Sequence, residues 1–167
     1  DGFRAQIHKK GRTVKIFTRR LEEVTLQFQE LVPSILKQVH AQDVILDGEI
    51  MGYDPQTKKY KPFQDISQRI KRKYDVEDMA RKLPVEFNVF DMLYKDGRSL
   101  MHLNQLERRK LLEQTLDEVP FTIVLTKKKL CSTVAEIETF YQEALSVGHE
   151  GIILKNIEKE YTSGRKV

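Results

Sequence analysis

The chain has 167 residues, 40% of them hydrophobic and 32% charged, with 29 Lys and Arg against 25 Asp and Glu for a net charge of +4. That length buries one sizeable core rather than two, and the slight basic excess admits a nucleic-acid partner without requiring one. Apolar runs are of strand length, well short of the roughly 20 residues that span a bilayer, and the lone Cys131 excludes an internal disulfide or a thiolate zinc cluster. The expectation is a soluble, monomeric protein of a reducing, intracellular compartment, with no membrane partner.

Taken in order, Phe3-Arg4-Ala5-Gln6-Ile7-His8 alternates apolar and polar, Lys9-Lys10-Gly11-Arg12 supplies turn residues, and Val14-Lys15-Ile16-Phe17-Thr18 resumes the alternation. This predicts an antiparallel hairpin. Between residues 29 and 40, Leu31, Ile35, Leu36 and Val39 recur at helical spacing, with Pro33 tolerable in a first turn. Residues 44–51 read as a strand in which Gly48 marks a close backbone approach, and Asp54-Pro55 ends it with turn chemistry. The polar stretch 63–82, anchored by Ile66, Ile70 and Met79, predicts two short surface helices, the second stopped by Pro84.

Residues 85–94 read as a long buried strand, Lys95-Asp96-Gly97 as a tight turn, and Asn104 as the cap of a helix carrying Leu106, Leu111, Leu112 and Leu116. Residues 121–125 form another predicted strand. Thr133-Val134-Ala135-Glu136 has capping-box form and opens a helix ending at Gly148. Residues 150–155 close the series as a strand with charged ends. Strands and helices are mixed without steady alternation, so the class is α+β with largely antiparallel sheets flanked by helices.

Three segments place carboxylates and a lysine beside glycines on predicted strands: Leu46-Asp47-Gly48-Glu49, Val89-Phe90-Asp91-Met92-Leu93-Tyr94, and Glu150-Gly151-Ile152-Ile153-Leu154-Lys155. Together they suit a phosphate and metal site, since paired carboxylates hold a divalent cation and a lysine neutralises phosphate charge. Each alone is weak, because Asp-Gly is common turn chemistry and Phe90 by itself reads as core. Arg69-Ile70-Lys71-Arg72-Lys73, Arg108-Arg109 and Lys127-Lys128-Lys129 could follow a DNA backbone, and a solvated face is the equally good bland reading. His8, His40, His102 and His149 lack metal-ligand spacing.

In order along the chain, however, these segments resemble the motif series of the ATP-dependent DNA ligases, within the covalent nucleotidyltransferase superfamily and of archaeal type. Asp1-Gly2-Phe3-Arg4 is similar to the end of the first motif, lysine-any-aspartate-glycine-any-arginine, and Phe17-Thr18-Arg19-Arg20 to the arginine segment that follows. Asp47-Gly48-Glu49 is similar to the third motif, Phe90-Asp91-Met92-Leu93-Tyr94 to the segment after it, and Glu150 through Lys155 to the fourth. The resemblance implies a nucleotidyltransferase (adenylation) domain of ATP-grasp-like type over residues 1–167, truncated at both ends, with the DNA-binding and OB-fold domains outside it.

It also implies roles. Arg4 binds the ribose and serves catalysis, Glu49 contacts the ribose or a metal, and Glu150 helps hold Mg2+. Phe90 stacks on adenine, Lys155 contacts the α-phosphate of ATP as a catalytic and nucleotide-binding group, and Arg19 binds DNA. The partner implied is nicked double-stranded DNA, in replication, repair or recombination, in a prokaryotic cytoplasm or a nucleus. The family's nucleophilic lysine is expected two positions before Asp1 and its fifth motif beyond Val167, so these residues by themselves are expected to be inactive. The other readings are an RNA ligase or GTP-dependent capping nucleotidyltransferase, and a non-catalytic nucleotide- or DNA-binding module.

Overall fold

The computed structural model describes residues 2–71 and 75–164. Its frame is a six-stranded sheet in the order β2-β1-β3-β4-β5, with β6 pairing β4 off that path. Strands β1 (Phe3–Lys10) and β2 (Thr13–Thr18) form the expected hairpin. Strand β3 (Asp43–Gly52) lies antiparallel to β1 and to β4 (Val85–Lys95). The short β5 (Arg98–Ser99) folds back on β4 through the Asp96-Gly97 turn, whose positive φ at Gly97 suits a residue without Cβ.

Period-two alternation gives the sheet two chemically distinct faces. Phe3, Ala5, Ile7, Leu46, Ile50, Phe87 and Val89 are buried on one. Helices α1 (Leu31–Gln38) and α2 (Phe63–Lys71) supply Leu31, Ile35 and Ile66 to the same cluster. Gly48 is part of this packing: a Cβ there would lie 2.5 Å from the Phe87 ring and 2.6 Å from the Asn88 carbonyl. The close approach expected at Gly48 therefore joins two strands.

The second surface helix, α3 (Val76–Lys82), buries no residue. Arg69, read as part of a solvated helical face, is 2% exposed. It donates to the Leu83 carbonyl at 2.8 Å and to that of Gln27, pairs with Glu30 at 2.6 Å, and lies over the Phe28 ring. A guanidinium can be buried only with such partners, and they come from segments distant in sequence. Lys71 keeps its place in α2, while Arg72 and Lys73 of the same charge run lie outside the described residues.

Helix α4 (Gln105–Thr115) has a complete capping box between Asn104 and Glu107. Its buried face is Arg108, Arg109, Leu112 and Thr115, so the reading of Arg108-Arg109 as solvated is also overturned. Strand β6 spans Ile123–Leu125, shorter than predicted because Phe121 has a φ of 60°, outside extended backbone. Helix α5 (Val134–Ser146) has the expected capping box at Thr133, and Gly148 follows with a φ of 88°.

The predicted strand at 150–155 does not form. Strand backbone requires a neighbour for its N–H and C=O groups, and among the described residues no named strand pairs with this segment. Ile153 and Leu154, which an apolar strand pattern places inside, are 83% and 69% exposed. No helix among the described residues is long and apolar enough to cross a membrane.

Candidate nucleotide site

The sheet register builds the site on the face opposite the core. Arg4 of β1 stands opposite Glu49 of β3, Glu49 opposite Asn88 of β4, and Asp47 opposite Asp91. Register shifts in the β3/β4 pairing flank Asp47, and such irregularities re-aim side chains. They bring Phe90 half-buried to the surface beside these carboxylates.

Arg4 is gripped from below by a carboxylate with no exposed surface. Its Nε donates to Asp47 Oδ1 at 3.1 Å and its Nη2 to Asp47 Oδ2 at 2.5 Å. This two-pronged pairing fixes the guanidinium plane as well as its position. The hydrogen bonds to Asp47 raise the pKa of Arg4 further above its ordinary value, against the lowering effect of burial. Arg4 is charged at any physiological pH.

Lys155 reaches the same place from the C-terminal segment. Its Nζ lies 4.7 Å from the Phe90 ring centroid, with the Arg4 guanidinium carbon 5.9 Å from that centroid. Both fall within cation–π range. The residue as a whole is exposed, but desolvation at the ammonium lowers its pKa, opposed by the charges of Asp91 and Asp47 and assisted by Arg108 and Arg109. Arg4, Phe90 and Lys155, named from the sequence, are thus neighbours in space.

Glu49 accepts the Gly2 backbone N–H at Oε1, 2.6 Å away. Glu150 lies in the exposed stretch after α5. Of the acidic groups in the three motif segments, Asp47 is held by Arg4 and Asp91 by Arg108 through both oxygens. Glu49 and Glu150 are the two carboxylates that the motif reading named as metal donors. No group of three or more His, Cys, Asp and Glu able to hold a metal occurs among the described residues. Mg2+ needs no such cage, since it prefers oxygen and commonly takes one or two carboxylates alongside water and substrate phosphates. Carboxylates such as Glu49 and Glu150 are the donor type that this chemistry takes.

Arg19 is exposed in the turn after β2. Thr18 pairs with Ala5, so Arg19 leaves the sheet at its Arg4 end. Lys127, Lys128 and Lys129 are exposed as expected, with Lys128 paired to Glu113 at 2.7 Å.

Four site residues were not recognised from the sequence, the first being Asp47, which lay within a motif without a role and grips Arg4. Asp91 lay within a motif but had no role; it pairs with Arg108, Nε to Oδ1 at 2.8 Å and Nη2 to Oδ2 at 3.0 Å, and both residues are buried. Tyr161 accepts from Arg4 Nη2 at 3.1 Å and donates to Asp47 Oδ2 at 3.4 Å. Only the two aspartates had a local signal, their places beside Gly48 and Phe90. The other two needed the folded chain.

A family described as "ATP dependent DNA ligase domain" matches residues 1–167. The chain is 46% identical over 167 residues to a DNA ligase of Nanoarchaeum equitans (strain Kin4-M), covering 100% of this chain and 30% of that protein. It is 41% identical over 169 residues to DNA ligase 2 of Methanosarcina acetivorans, covering 99% of this chain and 30% of the relative. Among solved structures, the ligase domain from M. tuberculosis LigD is similar with a TM-score of 0.70 at 28% identity, over 100% of this chain and 50% of that one. A mycobacterial DNA ligase D complexed with ATP and MES is similar with a TM-score of 0.68 at 26% identity, over 100% of this chain and 49% of that one. The chain thus spans about 30% of the length of these curated relatives.

Proposed function

The chain belongs to the ATP-dependent DNA ligase family, and from that premise we propose that it is the nucleotide-holding part of an enzyme that seals nicks in duplex DNA inside the cell. The observation that carries this reading is the convergence of Lys155 and Arg4 on the Phe90 ring, above the buried Asp47. An aromatic face flanked by two cations offers a stacking surface for a base and positive charge for its phosphates.

In this reading adenine stacks on Phe90, Arg4 holds the ribose, and Glu49 contacts the ribose or metal. Lys155 meets the α-phosphate, where its charge stabilises the crowded transition state of phosphoryl transfer. Glu49 and Glu150 hold Mg2+, which when bound neutralises phosphate charge. Arg19, at the Arg4 end of the sheet, binds DNA near the nick.

The reaction proceeds in three displacements. A lysine amine attacks the α-phosphate of ATP and expels pyrophosphate, leaving AMP on the lysine. The 5′-phosphate at the nick then takes the AMP and frees the lysine. Finally the 3′-hydroxyl attacks the activated 5′-phosphate, the phosphodiester forms, and AMP leaves. Covalent catalysis thereby splits one difficult condensation into easier steps. The family pattern places the nucleophile two positions before Asp1, and it is not among these 167 residues.

The test uses ATP labelled at the α-phosphate. Full-length protein with Mg2+ should acquire one acid-labile label per molecule and surrender it to nicked duplex, while residues 1–167 alone should acquire none. Competition by ATP but not GTP separates ligation from capping, and transfer to nicked DNA but not to RNA ends excludes an RNA ligase. Failure of the full-length protein to become labelled favours the non-catalytic binding module and removes the proposal.

A further inference from the structure

The Arg4–Asp47 pair has a third member. Tyr161 is 157 residues from Arg4 in sequence, yet its hydroxyl lies 3.1 Å from Arg4 Nη2 and 3.4 Å from Asp47 Oδ2. With the 2.5 Å contact between Nη2 and Oδ2, the three groups close a small hydrogen-bonded ring. Its polarity is consistent: the guanidinium donates twice, the carboxylate accepts twice, and the hydroxyl accepts from one and donates to the other.

The hydroxyl is held in place from behind. Tyr161 N–H donates to the Met101 carbonyl at 2.9 Å, the neighbouring Glu160 bridges to Asn104, and Leu106 N–H donates to the Ile157 carbonyl at 3.2 Å. The segment is therefore tied to the start of α4. From the same helix, the buried Arg108 lies 5.7 Å from the Tyr161 ring centroid while it grips Asp91. Burial and the charge of Asp47 raise the Tyr161 pKa, so the hydroxyl keeps the proton it donates.

We propose that Tyr161 is a positioning residue for the nucleotide: its hydroxyl completes the Asp47 grip on Arg4 and holds the guanidinium in the orientation that meets the ribose. Nε and Nη2 of Arg4 are engaged by Asp47 and Tyr161, which leaves the Nη1 edge to face a ligand. Without the hydroxyl, Asp47 still binds Arg4, but the side chain, 42% exposed, regains freedom on its outer edge. Preorganisation of this kind acts on affinity. This inference rests on the nucleotide-site reading above.

The experiment is Tyr161→Phe in the full-length protein, which keeps the ring over Arg108 and the backbone tie and deletes one oxygen. The KM for ATP in the self-labelling reaction should rise about three- to tenfold, with a smaller change in kcat and little change in Tm. In an Arg4→Lys background, which cannot form the same two-pronged grip, Tyr161→Phe should have under a twofold effect. A lowered Tm with unchanged KM makes Tyr161 structural and overturns the inference. So does an equal effect in both backgrounds. Intact labelling with an unaltered KM overturns this inference alone, whereas absence of ATP binding by the unsubstituted protein overturns the nucleotide-site reading and this inference together.

Discussion

The Asp91–Arg108 pair invites a test that separates support from chemistry. Asp91 is 3% exposed and Arg108 2%, and two hydrogen bonds of 2.8 and 3.0 Å join them. Asp91→Asn preserves shape but removes the charge and turns an amide N–H toward the guanidinium. Breaking one partner of a buried ion pair costs about 3–5 kcal/mol. The lower end applies here, because Arg108 keeps the Leu103 carbonyl at 2.5 Å and Gln105 at 2.8 Å. At roughly 2–4 °C per kcal/mol for a domain of this size, about 3 kcal/mol predicts a Tm lowered by about 6–12 °C. Calorimetry of the full-length protein, following the transition of this domain, gives the measurement. Replacing both partners, Asp91→Leu with Arg108→Met, should recover most of the loss, since apolar packing can substitute for a buried pair. A drop under about 2 °C in the single variant, or a double variant no better than the single, would refute the argument.

Other outcomes follow from the same geometry. Phe90→Leu keeps much of the β4 burial but loses the stacking face, and should weaken ATP binding by roughly 1–3 kcal/mol; unchanged ATP affinity beside a lowered Tm would return Phe90 to the core. Glu150→Gln should weaken the Mg2+-dependent steps while leaving the fold intact, as read by ligation rates across a Mg2+ titration, and identical titrations would remove Glu150 as a ligand. Desolvation lowers the Lys155 pKa, and the phosphate contact needs its charged form. Affinity for ATP should therefore fall as pH rises through a point below the ordinary lysine range. Because Asp91 raises that pKa, Asp91→Asn should move the fall to lower pH, and Lys155→Arg should abolish it; a flat profile in the unsubstituted protein would count against the phosphate role.

Much of the architecture was legible because it is written in local rules. Alternation in 3–18 requires only neighbours in sequence to predict the hairpin, and Asn104–Glu107 and Thr133–Glu136 satisfy each other within one turn. Arg4, Phe90 and Lys155 could be named because they stand in short ordered motifs, and the fold brings those motifs to one place. Glu49 was named in the same way, but its place across from Arg4 comes from the β1/β3 pairing of the folded sheet.

What only the tertiary structure decided is how charges are housed. Arg69 and Arg108 stand in polar runs that read as solvated, yet their partners lie 14, 42 and 17 residues away, beyond any periodic pattern. The strand pattern at 150–155 shows the converse, since a short apolar run states a preference that stays unrealised without a hydrogen-bonding edge beside it. Tyr161 meets Arg4 across 157 residues because the sheet joins β1 to β3 and the Tyr161 segment is tied to the start of α4. Apolar periodicity is a property of neighbours in the chain, whereas the burial of an ion and the completion of a site are properties of neighbours in space.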